Sequence, residues 1–121
     1  MNKPKVVTKP WGREIWFAYG NNKYVGKILE VNKGHRMSMQ YHKKKEETFL
    51  IDSGKARITY GKYGGKLQTK IFTIGQILHL VPKTVHRLEA VENTRIIEVS
   101  TDHLTDVIRI SDDYGREGKG K

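Results

Sequence analysis

Gly34-His35-Arg36-Met37-Ser38-Met39-Gln40-Tyr41-His42-Lys43-Lys44-Lys45-Glu46-Glu47 is the stretch on which the reading of the chain turns. Gln40 and His42 are two residues apart, so on a β-strand their side chains share one face. Lys43 to Glu46 then make a turn, and Glu47 opens the next strand. The parity of Glu47 continues through Phe49 and Ile51, which are core-like. An amide, an imidazole and a carboxylate therefore face the interior of a β-structure together. Such groups are costly to bury unless something satisfies them, and a divalent cation does so. His86 follows Pro82 in a later run and shares its inward parity with Leu88 and Ala90. Gln40, His42, Glu47 and His86 thus form a candidate ligand set. Nitrogen and oxygen donors without sulfur suit Zn, Mn, Fe, Co or Ni. The plainer reading is that Gln-x-His is a common pair and that Glu47 is a surface carboxylate facing a lysine. His35, His79 and His103 read as background histidines.

The rest of the chain repeats short β-runs between turn residues. Tyr24–Val31 is strand-like and closes at Asn32-Lys33-Gly34. Ser38–His42 is a short polar strand, and Thr48–Ile51 ends at the turn signal Asp52-Ser53-Gly54. Ala56–Tyr60 alternates and returns through the hairpin residues Tyr63-Gly64-Gly65-Lys66 as Leu67–Ile74. Ile77–Val81, Val85–Val91 and Arg95–Ser100 follow, and 102–110 fits a short helix or a last strand. The pattern predicts an all-β chain of about eight to ten strands, spaced as in a sandwich or barrel, with a jelly roll the natural candidate. One domain over 1–121 is expected, with an N-terminal arm at about 1–10 and a frayed tail at about 116–121.

Composition narrows the function classes. There are no cysteines, which excludes disulfides, Cys-ligated zinc, iron–sulfur clusters and thiol catalysis, and fits a cytoplasmic protein. No apolar run approaches the roughly 20 residues of a membrane span, and no secretory h-region follows the first lysines. Lys plus Arg is 23 against 13 for Asp plus Glu, a formal charge of +10. That balance favours anionic partners. The charge is spread along the chain, however, with only Lys43-Lys44-Lys45 as a run, and no nucleic-acid-binding pattern accompanies it. For most of the lysines the plainer reading is a solvated surface; for those beside a site, an anionic small molecule such as a sugar phosphate fits better than nucleic acid.

The spacing also resembles a known family. Gly34, Gln40, His42, Glu47 and Gly54 occupy the fixed positions of the first cupin motif, G-x5-H-x-H-x3,4-E-x6-G, with Gln40 in place of the first His. Gly75, Pro82 and His86 match the second motif more loosely; its Asn is missing. The substitution at Gln40 resembles the C-terminal cupin domain of the type II mannose-6-phosphate isomerases and mannose-1-phosphate guanylyltransferases, here as a small stand-alone cupin. Lys9-Pro10-Trp11-Gly12, Val25-Gly26-Lys27-Ile28, Ser38-Met39-Gln40-Tyr41-His42, His86-Arg87-Leu88, Ile97-Glu98-Val99 and Asp112-Asp113-Tyr114-Gly115-Arg116 carry that likeness over about 8–116. The chain departs from it where those enzymes read H-H-H-R-A-E-H-W: here the stretch is His42-Lys43-Lys44-Lys45-Glu46-Glu47-Thr48-Phe49.

The resemblance implies a double-stranded β-helix and a divalent metal held by Gln40, His42, Glu47 and His86. It implies an aldose–ketose isomerisation of a sugar phosphate such as mannose 6-phosphate, through an enediolate, and a homodimer. Nothing of sugar-nucleotide synthesis carries over. Lys27 shares inward parity with Val25, Leu29 and Val31, Lys44 shares parity with His42, and Arg116 can fold back over the mouth; these three are the candidate phosphate partners. No general base stands out. Glu98 is one candidate, with a structural ion pair as the plainer reading. Trp11, Trp16 and Phe17 either line a sugar or pack an added strand. The alternatives are a sugar or sugar-phosphate binding module without turnover and an Fe(II) oxygenase, against which Gln40 as fourth ligand counts.

Overall fold

The computed structural model describes residues 3–120. It has twelve strands and, among the described residues, no helix: β1 (Lys5–Lys9), β2 (Gly12–Ala18), β3 (Tyr24–Val31), β4 (Met39–Tyr41), β5 (Glu47–Ser53), β6 (Lys55–Lys62), β7 (Gln68–Thr73), β8 (Ile77–Leu80), β9 (Thr84–Ala90), β10 (Thr94–Thr101), β11 (Val107–Ser111) and β12 (Gly118–Gly120). They form two antiparallel six-stranded sheets, in the orders β1-β2-β3-β10-β5-β8 and β12-β11-β4-β9-β6-β7. The sheets face each other across one core, as expected for a jelly roll.

Period-two alternation builds that core. Leu29 and Val31 on β3, Phe49 and Ile51 on β5, Ile58 on β6, Leu88 and Ala90 on β9, and Ile96 on β10 all point inward and are buried. Each large side chain contributes about 1.5–3 kcal/mol of burial energy. In register, Ile96 lies between Leu29 and Ile51, and Leu88 lies beside Ile58. The turn after β5 requires glycine. Gly54 has φ of 89°, and a Cβ there would stand 2.2 Å from the Asn93 carbonyl oxygen.

Three expectations need amending, and one open alternative, at 102–110, is decided. The strand count exceeds the eight to ten read from the pattern, because β1, β2 and β12 carry little apolar alternation. β1 and β2 turn Lys9, Glu14 and Trp16 toward the interior cavity, so their inward face is polar. The N-terminal arm is accordingly an edge strand, since Lys5–Lys9 pairs with Trp16–Gly12. Residues 102–110 end in a strand, β11, and not a helix. The tail expected to fray pairs through Gly120 with β11. Asp112 anchors it by accepting hydrogen bonds from the Arg116 backbone N–H at 2.8 Å and from its guanidinium at 2.9 and 3.0 Å. Met1, Asn2 and Lys121 lie outside the described residues.

Candidate metal centre

Three strands, β4, β5 and β9, and the turn after β4 bring the site together. β4 ends at Tyr41, so His42 is the first residue of the lysine turn. Glu47 opens β5, on the opposite sheet. His86 lies on β9, directly opposite Gln40 of β4 in register, so both project to the same side. All four residues are buried. One donor atom from each of His42, Glu47 and His86 falls within 4.8 Å of the others. His42 Nε2 is 2.8 Å from Glu47 Oε2, and His86 Nε2 is 3.5 Å from the same oxygen.

The far side of each imidazole fixes its orientation. His42 Nδ1 donates to the Asp106 carbonyl, and His86 Nδ1 donates to the Thr84 carbonyl at 2.9 Å. With the proton on Nδ1, each Nε2 turns a lone pair toward the carboxylate. Burial lowers the His86 pKa and outweighs Glu47, which favours this neutral form. Glu47 Oε2 has no hydrogen-bond donor. Two imidazole lone pairs thus converge on a buried, unpartnered carboxylate oxygen. Acceptors meeting in this way are reconciled by a cation, and a His/Glu/His donor set suits a divalent first-row metal.

Around the cluster lies a second charged group. Lys45 is buried between two carboxylates, with Nζ 3.4 Å from Glu47 Oε1 and 3.0 Å from Glu98 Oε2. Burial opposes the Lys45 charge, but Glu98 and Glu47 outweigh it and push its pKa above the lysine range. Burial likewise opposes the Glu47 carboxylate, yet Lys45 and then the histidines hold it well below the carboxylate range. Glu98 is pushed up by burial, against the pull of Lys45. On the other side, Lys27 Nζ is 3.3 Å from Glu14 Oε1 and sits 4.5 Å over the Trp16 ring, whose Nε1 donates to the same oxygen at 2.8 Å.

These residues line two adjoining chambers. The inner one, about 60 Å³, is lined by the four candidate ligands with Lys27, Lys45, Glu98, Arg109 and Arg116 among others. The outer one, about 350 Å³, adds Lys5, Trp16, His103 and Asp106. Its size falls in the roughly 300–1,000 Å³ range of small-molecule sites.

The structure therefore gathers six of the seven predicted residues: Gln40, His42, Glu47, His86, Lys27 and Arg116. Lys44 is the exception. It is exposed, and its backbone N–H donates to the Asp106 carboxylate at 2.6 Å. The strand stops before His42, so alternation does not carry forward to Lys44. Counted backward from Glu47, parity selects Lys45, which is the buried lysine. Sequence reading also missed Glu14, Lys9 and Arg109. The inward parity that Glu14 shares with Trp16 was the available signal; Arg109 had none. Trp16 lines the outer chamber, Trp11 is core, and Phe17 is exposed. His103, read as background, lines the outer chamber and bonds Thr101 Oγ1 at 2.9 Å.

Two antiparallel sheets closed around inward His and Glu side chains define a cupin. The chain belongs to the family described as Mannose-6-phosphate isomerase C-terminal, which matches residues 1–112. It is 31% identical over 120 residues to a mannose-1-phosphate guanylyltransferase of Salmonella montevideo, covering 93% of this chain and 24% of that protein. It is 28% identical over 114 residues to mannose-1-phosphate guanylyltransferase RfbM of Salmonella typhimurium, covering 90% of this chain and 22% of that one. The chain thus spans about a quarter of these relatives' length. A structure of Bacillus subtilis oxalate decarboxylase, described for its Mn(II) centers, superposes with a TM-score of 0.75 at 18% identity, over 90% of this chain and 30% of that one. That likeness concerns the fold. No helix among the described residues is long and apolar enough to cross a membrane.

Proposed function

We propose that this cupin holds a divalent metal at His42, Glu47 and His86, with Gln40 as a fourth ligand, and isomerises a sugar phosphate of the mannose 6-phosphate type. The observation that carries this reading is the convergence of two lone-pair-bearing Nε2 atoms on the orphaned Glu47 Oε2, beneath a cation-rich chamber. A bound metal supplies a Lewis acid for the sugar oxygens. Lys27, Arg109 and Arg116 line the approach and supply positive charge for a phosphate. Of the carboxylates lining the inner chamber, Glu14 and Glu98 are not among the proposed ligands, and either can take a proton in an aldose–ketose step.

One observation favours a second reading, binding of a sugar phosphate without turnover. Glu14 and Glu98 are each held by a lysine, Lys27 and Lys45, so neither is free as a base in the unliganded protein. Elemental analysis of untagged protein beside His42→Ala tests the metal. Stoichiometric metal lost in the variant supports it; protein that is metal-free and cannot be loaded overturns it. Incubation of loaded protein with mannose 6-phosphate, followed by NMR, then separates the readings: fructose 6-phosphate marks an isomerase, and a saturable shift without product marks a binding module.

A further inference from the structure

Lys45 is buried beside the candidate metal centre, at 7% exposed, and neither the ligand set nor the sugar-phosphate chemistry gives it a part. Its ammonium stands 3.4 Å from Glu47 Oε1 and 3.0 Å from Glu98 Oε2. The other oxygen of Glu47, Oε2, is the one on which His42 and His86 converge. A single carboxylate therefore faces a fixed cation on one oxygen and the candidate metal position on the other. A lysine stem ordinarily lets its charge snorkel to water. Here the backbone holds it in. The Asp106 carboxylate accepts hydrogen bonds from the backbone N–H groups of Lys43, Lys44 and Lys45 at 3.1, 2.6 and 2.9 Å, and Thr101 Oγ1 accepts one from that of Glu46 at 3.1 Å. Four consecutive amides of the turn are thus pinned, and the Lys45 side chain is directed inward between the two carboxylates. Glu98 lies opposite Lys27 in register, but Lys27 Nζ is drawn to Glu14 at 3.3 Å. That leaves Glu98 to Lys45.

We propose that Lys45 is a built-in counter-cation that competes with a divalent metal for Glu47 and so sets the affinity of the site, and that Glu98 relieves the competition by sharing the ammonium. The inference rests on the metal reading of His42, Glu47 and His86. Two effects follow from one charge. Without metal, Lys45 compensates the buried Glu47 carboxylate, which would otherwise be stranded. With metal, the same ammonium opposes binding, because charges of one sign a few ångströms apart repel far more strongly in a buried site than in water. Glu98 moderates that repulsion: an ammonium drawn toward Glu98 leaves Glu47 to the metal. Lys45 is thus a positioning residue that acts through Glu47. A lysine that merely held Glu47 in place for the metal would have the reverse signature, since its loss would weaken binding.

Titration of the metal-stripped whole chain with Mn²⁺, and separately with Zn²⁺, tests this, with the dissociation constant as the readout. Lys45→Met is expected to lower the constant at least about tenfold. Glu98→Gln, which leaves the ammonium to Glu47 alone, is expected to raise it at least about threefold. Lys44→Met removes the same charge from the exposed side of the turn and is expected to change it less than about twofold, because water and salt screen that position. Circular dichroism confirms that each variant folds, and Glu98→Gln keeps the test open if Lys45→Met does not. A native chain that takes up neither ion fails the metal reading, and the inference falls with it. A native chain that binds metal while Lys45→Met binds no tighter, or Glu98→Gln no weaker, overturns the inference and leaves the metal reading standing. So does a Lys44→Met variant that tightens binding as much as Lys45→Met.

Discussion

Four strands each carry two kinds of inward residue. At one end of the barrel β3, β5, β9 and β10 present Lys27, Glu47, His86 and Glu98; further along the same faces they present Leu29, Phe49, Leu88 and Ile96. Parity, backbone pairing and burial are alike at the two ends, and only the side chains differ. The apolar end therefore carries the stability of the fold. The polar end must satisfy itself group by group, through Lys45 between Glu47 and Glu98, Lys27 on Glu14, and main-chain carbonyls behind both histidines.

The largest test of that division is truncation at the apolar end. Phe49→Ala is expected to lose about 3–5 kcal/mol in denaturant unfolding, and a loss below about 1 kcal/mol would break the comparison. At the polar end, Lys45→Met strands two buried carboxylates and should lose about 3 kcal/mol. Adding Glu98→Leu should recover part of it. If the double variant is no more stable than the single, the two groups do not act as a pair. His42→Ala, by contrast, should cost little without metal but abolish metal-dependent stabilisation, which for the native chain reaches about 2.7 kcal/mol at a hundred times Kd. Thermal melts with and without Mn²⁺ or Zn²⁺ read the difference.

A smaller effect is expected at the tail. Hydrogen bonds from Arg116 hold the Asp112 carboxyl below its ordinary range. Its folded pKa is depressed, so the tie contributes above the unfolded value and is lost as pH falls through the folded one. Hydrogen-exchange protection over residues 112–118, corrected for the intrinsic rate at each pH, should fall with that acidification, and Asp112→Asn should remove the dependence. The smallest effect sharpens the contrast between neighbours: Lys44→Ala should stay within about 0.5 kcal/mol and leave phosphate binding unchanged.

Much of this was legible in the chain. Alternation finds the central strands because their inward residues are apolar, and the parity of Gln40, His42, Glu47 and His86 matches their common place on one chamber. The same signal failed where the interior is polar. β1 and β2 hide their alternation behind Lys9, Glu14 and Trp16, and β12 offers only Gly118, Lys119 and Gly120. Parity carried forward from His42 points to Lys44 and not to the buried Lys45, because it crosses a turn, where alternation has no meaning. The ties made by Asp106 have no sequence period at all, since they join residues some sixty positions apart through a loop.

Asp106 and Thr84 hold the two histidines by carbonyl oxygens, which every amino acid possesses. The orientation of both imidazoles is thus insulated from point substitution at those positions. A side-chain exchange at Asp106 or Thr84 thus reaches the imidazoles only if it moves the backbone, whereas one at Lys45, Glu47 or Glu98 acts on the buried charge cluster directly.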